Sequence, residues 1–199
     1  AALSRCPSKE TAAALKKAVS VDPSVHVVAA ALESLGAQRD HAPKSILESH
    51  LKKRSWDEIV ARGAVSGIAA TGEPWAKKAL LRVAKRSRGP YKLRAAALTA
   101  PRSVVRREPE ARGQVLAAVA PLVRDPDPIV VRSTARLISH IGTDEDAGLL
   151  EEAVTRLPEK WYHKEVSRWR RTLKERSLET GTAKEQRDRL ISFEEKLDE

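Results

Sequence analysis

A chain of 199 residues can bury one sizeable core, as a single domain or a continuous repeat array, but four Trp, two Tyr and one Phe leave that core to Ala, Val, Leu and Ile and so to closely packed helices. One cysteine, Cys6, excludes an intramolecular disulfide framework, and no apolar run reaches the roughly 18 residues of a membrane span. The formal net charge of +10, from 37 basic and 27 acidic residues, favours anionic partners.

Residues 1–7 read as an irregular lead-in. Ser8 suits a helix cap, with Thr11, Ala14, Leu15, Ala18 and Val19 following to about Val21. Asp22-Pro23 reopens a helix that lines up Val25, Ala29, Leu32 and Leu35 and ends at Gly36. Asp40 starts the next, with Ile46, Leu47 and Leu51, closing on the cations Lys52, Lys53 and Arg54. Ser55 and Glu58 have capping-box spacing ahead of Ala61, Val65 and Ile68, and Gly72 stops that helix. Glu73-Pro74 opens another, to about Ser87, and Gly89-Pro90 breaks the chain. Leu93, Ala97 and Ala100 follow until Pro101, after which 101–108 is expected to be a loop. A helix is predicted from Pro109 to Arg124 through Val115, Leu116, Val119 and Leu122. Asp127 then caps, Pro128 opens, and Val131, Ala135, Ile138 and Ile141 form one helical face up to a left-handed stop at Gly142. Thr143 and Asp146 have capping-box spacing before Leu149, Leu150, Ala153, Val154 and Leu157.

Four of these segments are related. Arg132, Ala135, Ile138 and Gly142 are matched at identical offsets by Arg62, Val65, Ile68 and Gly72, and again by His26, Ala29, Leu32 and Gly36. A further copy keeps Arg94, Ala97 and Ala100 but has Val104 at the glycine position. The first position falls at 26, 62, 94 and 132, a period of one helical hairpin per unit. The pattern Asp-Pro, then Val-Arg-x-x-Ala-x-x-x-Ile-x-x-x-Gly, resembles HEAT repeats over about residues 8–158. That resemblance implies an all-α, right-handed α-solenoid of about four to five helical hairpins. His26 departs from the family's arginine, and Val104 from its glycine.

Residues 159–180, with Trp161, Tyr162, Val166, Trp169 and Leu173, are expected to form an amphipathic helix capping the open end of the stack, broken at Gly181. Residues 183–199 are highly charged; Leu190 to Leu197 spans a single heptad, read either as a short coiled-coil contact or as a frayed, solvated helix.

The basic excess is local. Lys77, Lys78, Arg82, Lys85, Arg86, Arg88, Lys92, Arg94, Arg102, Arg106 and Arg107 occur with no acidic residue among them, and the rest of the chain is close to neutral. Arg94 reads as a structural arginine of the repeat. The other ten are either an anion- or partner-binding patch or a solvated helix face. Trp75 and Tyr91 alone flank them, thin aromatic support for base stacking. His26, His41, His50, His140 and His163 lack metal-ligand spacing, with His26 and His140 read as packing or surface residues. No Gly-rich phosphate loop, His-Glu-x-x-His or Gly-x-Ser-x-Gly occurs, so neither a cofactor nor a catalytic constellation is expected.

Residues 55–72 resemble the HEAT-type C-terminal region of bacterial gluzincin aminopeptidases, the aminopeptidase N-like zinc enzymes. This implies a non-catalytic module that helps shape or close the cavity of a larger enzyme, because the family's zinc and substrate motifs are absent. The lack of any Met fits a piece of a longer or trimmed protein. A basic HEAT-like DNA glycosylase for alkylated bases is the alternative, enlisting Trp56, Asp57 and Trp75. A stand-alone scaffold for an acidic protein is the third. No secretory start follows Ala1-Ala2-Leu3, so a cytoplasmic location is favoured and no membrane partner is expected.

Overall fold

The computed structural model describes residues 7–38, 41–158, 165–178 and 181, and among them every regular element is helical. The elements are α1 (Lys9–Val21), α2 (Val25–Gly36), α3 (Lys44–His50), α4 (Ile59–Thr71), α5 (Pro74–Ala84), α6 (Tyr91–Thr99), α7 (Pro101–Arg107), α8 (Arg112–Val119), α9 (Pro128–Ile141) and α10 (Ala147–Thr155). A helix over 165–178 is α11. Asp40, Trp161, Tyr162 and the charged tail 183–199 lie outside the described residues.

Several helix ends form through the local chemistry expected of them. The Ser8 hydroxyl accepts from Thr11 N at 3.1 Å, and the Asp127 carboxylate from Ile129 N at 2.8 Å. Thr143 and Asp146 close a full capping box. Gly72 ends α4 at φ +74°, in the left-handed region that favours glycine.

Other ends differ. Ser24 rather than Asp22 caps α2, and Asp22 instead accepts from Ser24 N at 2.9 Å. The third helix is short and ends at His50, before the lysine cluster. Ser55 and Glu58 do not form a capping box. Asp57 and Glu58 both sit at positive φ, 52° and 55°, and the Ser55 hydroxyl accepts from Val60 N at 3.1 Å. The Asp57 carboxylate pairs with two cations, Lys92 and Arg62. Gly142 is extended, not left-handed (φ −76°, ψ 176°). Its lack of a side chain matters for space: a Cβ there would lie 2.7 Å from Ile138 O and 3.0 Å from Leu173 Cδ1. Gly181, expected to break the last helix, is itself helical.

The largest departure is at 101–108. Instead of a loop it holds α7. Ala100 keeps right-handed helical angles (φ −70°, ψ −39°) in spite of the proline that follows it. Pro101 then occupies the first position of α7, where its missing N–H removes no bond that α7 itself needs. The glycine stop missing at Val104 is therefore matched by added helix, and residues 91–107 run on as a proline-interrupted pair. Pro121 acts similarly on the helix predicted from Pro109 to Arg124. It supplies no donor to the ladder, and the chain tightens into a 3-10 turn over Ala120–Arg124.

The second helices of the hairpins form a row: α2 packs on α4, α4 on α6, and α6 on α9, while α1, α3, α5 and α10 flank α2, α4, α6 and α9 respectively or the helix between them. One apolar cluster runs through the row from Ala12 and Leu15 to Val166, Trp169 and Leu173 of α11. On α9 the expected face of Val131, Ala135, Ile138 and Ile141 is buried throughout. The seam between α2 and α4 is the tightest. A Cβ on Gly36 would fall 1.9 Å from Gly67 O, and one on Gly63 2.6 Å from the Cα of Ala29. Backbone meets backbone there because three glycines carry no side chain.

Ion pairs tie one hairpin to the next. Arg94 is 3% exposed; its guanidinium pairs bidentately with Asp125, ahead of α9, while its Nε donates to Ala84 O at 3.0 Å. Arg132 does the same one unit on, gripping Glu165 of α11. Arg112 reaches Ile141 O at 2.9 Å and Thr143 Oγ1 at 2.8 Å, and pairs with Asp146. The glutamate at 165 is held below its ordinary pKa chiefly by its hydrogen bond from Arg132.

Candidate anion-binding groove

The continuous basic stretch of the sequence divides in space. Lys77 reaches Glu108 at 3.6 Å. Lys92 is taken by Asp57, whose hydrogen bond raises the ammonium's pKa while lowering that of the carboxylate. Arg82 and Arg86 line a cavity of about 180 Å³ against α3, shared with Glu48, Ser49 and Lys52. Lys78, Lys85 and Arg88 are exposed around α5 and the turn after it.

Arg102, Arg106 and Arg107 go elsewhere. With Thr99 and Ser103 they line a cavity of about 370 Å³ on α6 and α7. Arg107 also extends a guanidinium over Gly72 toward Ala69 O at 3.5 Å. A second cavity, about 110 Å³, opens between these helices and α9, lined by Leu98, Thr99, Arg102, Ser133, Arg136, Leu137 and His140. A third, about 600 Å³, continues between α9 and α11 and adds Arg168, Trp169, Arg171 and Thr172. Arg102 borders all three, so they adjoin as one groove, and among the described residues its permanent cations are all arginines. Among the described residues two carboxylates line it: Glu165, engaged by Arg132, and Glu175, 3.9 Å from Arg171.

Arg136, Arg168 and Arg171 were not legible as members of a patch, because they come from chain segments of mixed charge. Helical spacing is the one signal that could have found them: Arg132, Arg136 and His140 recur at intervals of four along α9 and so share a face.

His140 sits at the centre. Burial lowers its pKa from the ordinary 6.5, and the charges of Arg102, Arg136 and Arg176 lower it further. Arg102 Nη1 is 3.5 Å from its Nε2. Two unit charges about 4 Å apart cost roughly 1 kcal/mol even in bulk water, so cations at this spacing disfavour a charged imidazole. A depressed folded-state pKa means that the unfolded chain takes up the proton first. His140 therefore costs stability as pH falls below 6.5, with the loss complete below the folded pKa. Urea unfolding of the wild type and of His140→Gln between about pH 7 and about pH 5 tests this. The wild type should lose more stability on acidification than the variant; parallel curves would contradict the assignment.

Trp56 and Tyr91 are exposed, at 78% and 42%, and line none of the three cavities. Trp75 is half-buried beneath the Lys44 ammonium, 5.1 Å from its ring centre. Among the described residues no three His, Cys, Asp or Glu side chains group where they could hold a metal ion, and no helix is long and apolar enough to cross a membrane. No family model, curated protein or solved structure matches the chain.

Proposed function

We propose that the chain is a non-catalytic interaction module, a right-handed α-solenoid of four to five HEAT-like hairpins closed by a C-terminal helix, and that its arginine groove receives an acidic protein segment. The row of second helices, the repeat offsets at 26, 62, 94 and 132, and the arginine pairs reaching from one hairpin to the next support the solenoid reading. The observation that carries the partner is the groove itself, in which Arg102, Arg106, Arg107, Arg136, Arg168 and Arg171 line adjoining cavities. Arginine forks match carboxylates bidentately, where lysine offers only a point charge. The cations around His140, Arg102, Arg136 and Arg176, disfavour its charged form, which suits a groove for an anion.

The resemblance of 55–72 to the gluzincin C-terminal region suggests where the acidic surface belongs: on the remainder of a larger aminopeptidase N-like polypeptide. Nucleic acid, as for an alkylated-base glycosylase, ranks second. Phosphates suit the arginines equally well, but among the described residues the groove's one Trp, Tyr or Phe is Trp169, which is 4% exposed and offers little ring for stacking.

Fluorescence anisotropy separates these readings. A labelled oligoglutamate peptide at low salt should bind, and Arg102→Glu with Arg136→Glu should weaken it about tenfold or more. Arg82→Glu with Arg86→Glu, in the separate cavity, should leave it nearly unchanged. Equal losses from both pairs would reduce the groove to general surface charge. Tighter binding of a single-stranded oligonucleotide of equal charge would move the assignment to nucleic acid.

A further inference from the structure

We propose that the small cavity between α6, α7 and α9 is a seat for a phosphate monoester, carried by the acidic segment as a phosphoserine or phosphothreonine. This rests on the groove reading above and adds the chemistry of its centre.

The first argument is uncompensated charge. Arg62, Arg94, Arg112, Arg124, Arg132 and Arg170 each meet a carboxylate. Arg102 and Arg136 border the same cavity of about 110 Å³, yet among the described residues neither has an ion pair and no acid lines that cavity. Arg102 there lies 3.5 Å from an imidazole nitrogen, His140 Nε2, and not from a carboxylate. The acid whose charge Arg136 feels, Glu165, lies in the adjoining cavity and is already gripped by Arg132, so an external anion can complete the site between the two helices.

The second argument is shape. Arg102 comes from α7, and Arg136, Ser133 and His140 from α9, so the donors approach from more than one side. A carboxylate presents two oxygens in one plane, and a single arginine fork satisfies it. A phosphate monoester presents three terminal oxygens in a tetrahedral array with a charge of about −1.5 to −2 at neutral pH. The Ser133 hydroxyl supplies a neutral donor; Thr99 donates its proton to Ala96 O. Buried Leu98 and Leu137 give the cavity an apolar wall against which the ester carbon can rest. The larger cavities on either side leave room for the polypeptide to continue in both directions.

Binding should be linked to protonation. His140 faces Arg102 from α7, Arg136 on its own helix and Arg176 from α11. Beyond these, Glu165, Arg168, Arg171 and Glu175 line the adjoining cavity. A dianion seated among them reverses the local sign and favours the imidazolium, so its arrival draws a proton onto His140.

The test compares three probes by anisotropy and by NMR titration of the His140 ring: an acidic peptide with one phosphoserine, the same peptide with serine, and inorganic phosphate. The phosphopeptide should bind about tenfold tighter than its serine form, as expected for added charge-assisted hydrogen bonds, and should raise the His140 pKa. Arg102→Gln and Arg136→Gln, both at exposed positions, should each abolish the preference for phosphate while retaining most of the binding to the serine peptide. Equal affinity for the two peptides with no shift of His140 would overturn the seat and leave the groove standing. A shift with inorganic phosphate but no advantage for the phosphopeptide would overturn the polypeptide source in favour of a free anion. Failure of both peptides to bind at low salt would overturn the seat and the groove together.

Discussion

Adding one methyl group at Gly36 should destabilise the protein by about 3 kcal/mol, at the upper end for overpacking a well-filled interior. The new Cβ would lie 1.9 Å from Gly67 O, 2.4 Å from Gly67 C and 2.6 Å from Gly67 Cα. All three are backbone atoms of α4, so no side chain can swing aside and α2 must move bodily. Gly67→Ala meets the same obstacle from the other side, at 2.4 Å from Leu32 O. Gly113 and Gly148 provide the opposite result. Nothing lies within 4 Å of a Cβ at either position, and both are inside helices. Alanine there should stabilise by about 0.5–1 kcal/mol, since glycine weakens a helix interior. Urea denaturation with linear extrapolation measures all four; a Gly36→Ala variant as stable as wild type would mean that α2 and α4 do not meet backbone to backbone.

Arg94→Met should cost about 3–5 kcal/mol, the range for removing one partner of a buried ion pair. The side chains of Arg94 and Asp125 are 3% and 6% exposed. Methionine fills much of the arginine stem's volume but abandons a buried carboxylate and the Ala84 carbonyl together. The double variant Arg94→Met, Asp125→Asn should recover a good part of the loss, because asparagine removes the stranded charge and still accepts from Asp127 N. A double variant no better than the sum of its singles would show that burial of charge is not the cause. The corresponding change at Arg132 should cost much less, since that pair is more than one-third exposed to solvent on the arginine side.

What could be read from the sequence was what acts within about one helical turn. Ser8, Asp127 and the Thr143–Asp146 box do their work on N–H groups two or three residues away. Ser55 and Glu58 have the same spacing and fail: Asp57 and Glu58 are both left-handed, and the Ser55 hydroxyl accepts from Val60 N, five residues on, instead. Pro101 was ambiguous in itself: the same ring that ends one helix suits the first position of the next. Gly63 and Gly67 carry no local sign of their purpose; their reason is α2, and only the assembled seam shows it. Adjacency in the chain also misled on charge. Of the ten predicted patch residues, Arg102, Arg106 and Arg107 line the groove, and their companions Arg136, Arg168 and Arg171 come from later helices.

The pairs made by Arg94 and Arg132, at equivalent positions of the repeat, have a direction. Arg94 finds its acid 31 residues later, and Arg132 finds its own 33 residues later. A ribosome makes the chain from its N-terminal end, so these two guanidiniums emerge uncompensated until most of the following unit has been made. A buried arginine without its carboxylate is too costly to bury. Packing around Arg94 therefore waits until Asp125 is available, whereas Arg132, 39% exposed, can stay hydrated until Glu165 arrives. Consolidation around Arg94 thus trails its synthesis by about one unit, the distance in the chain to its acid.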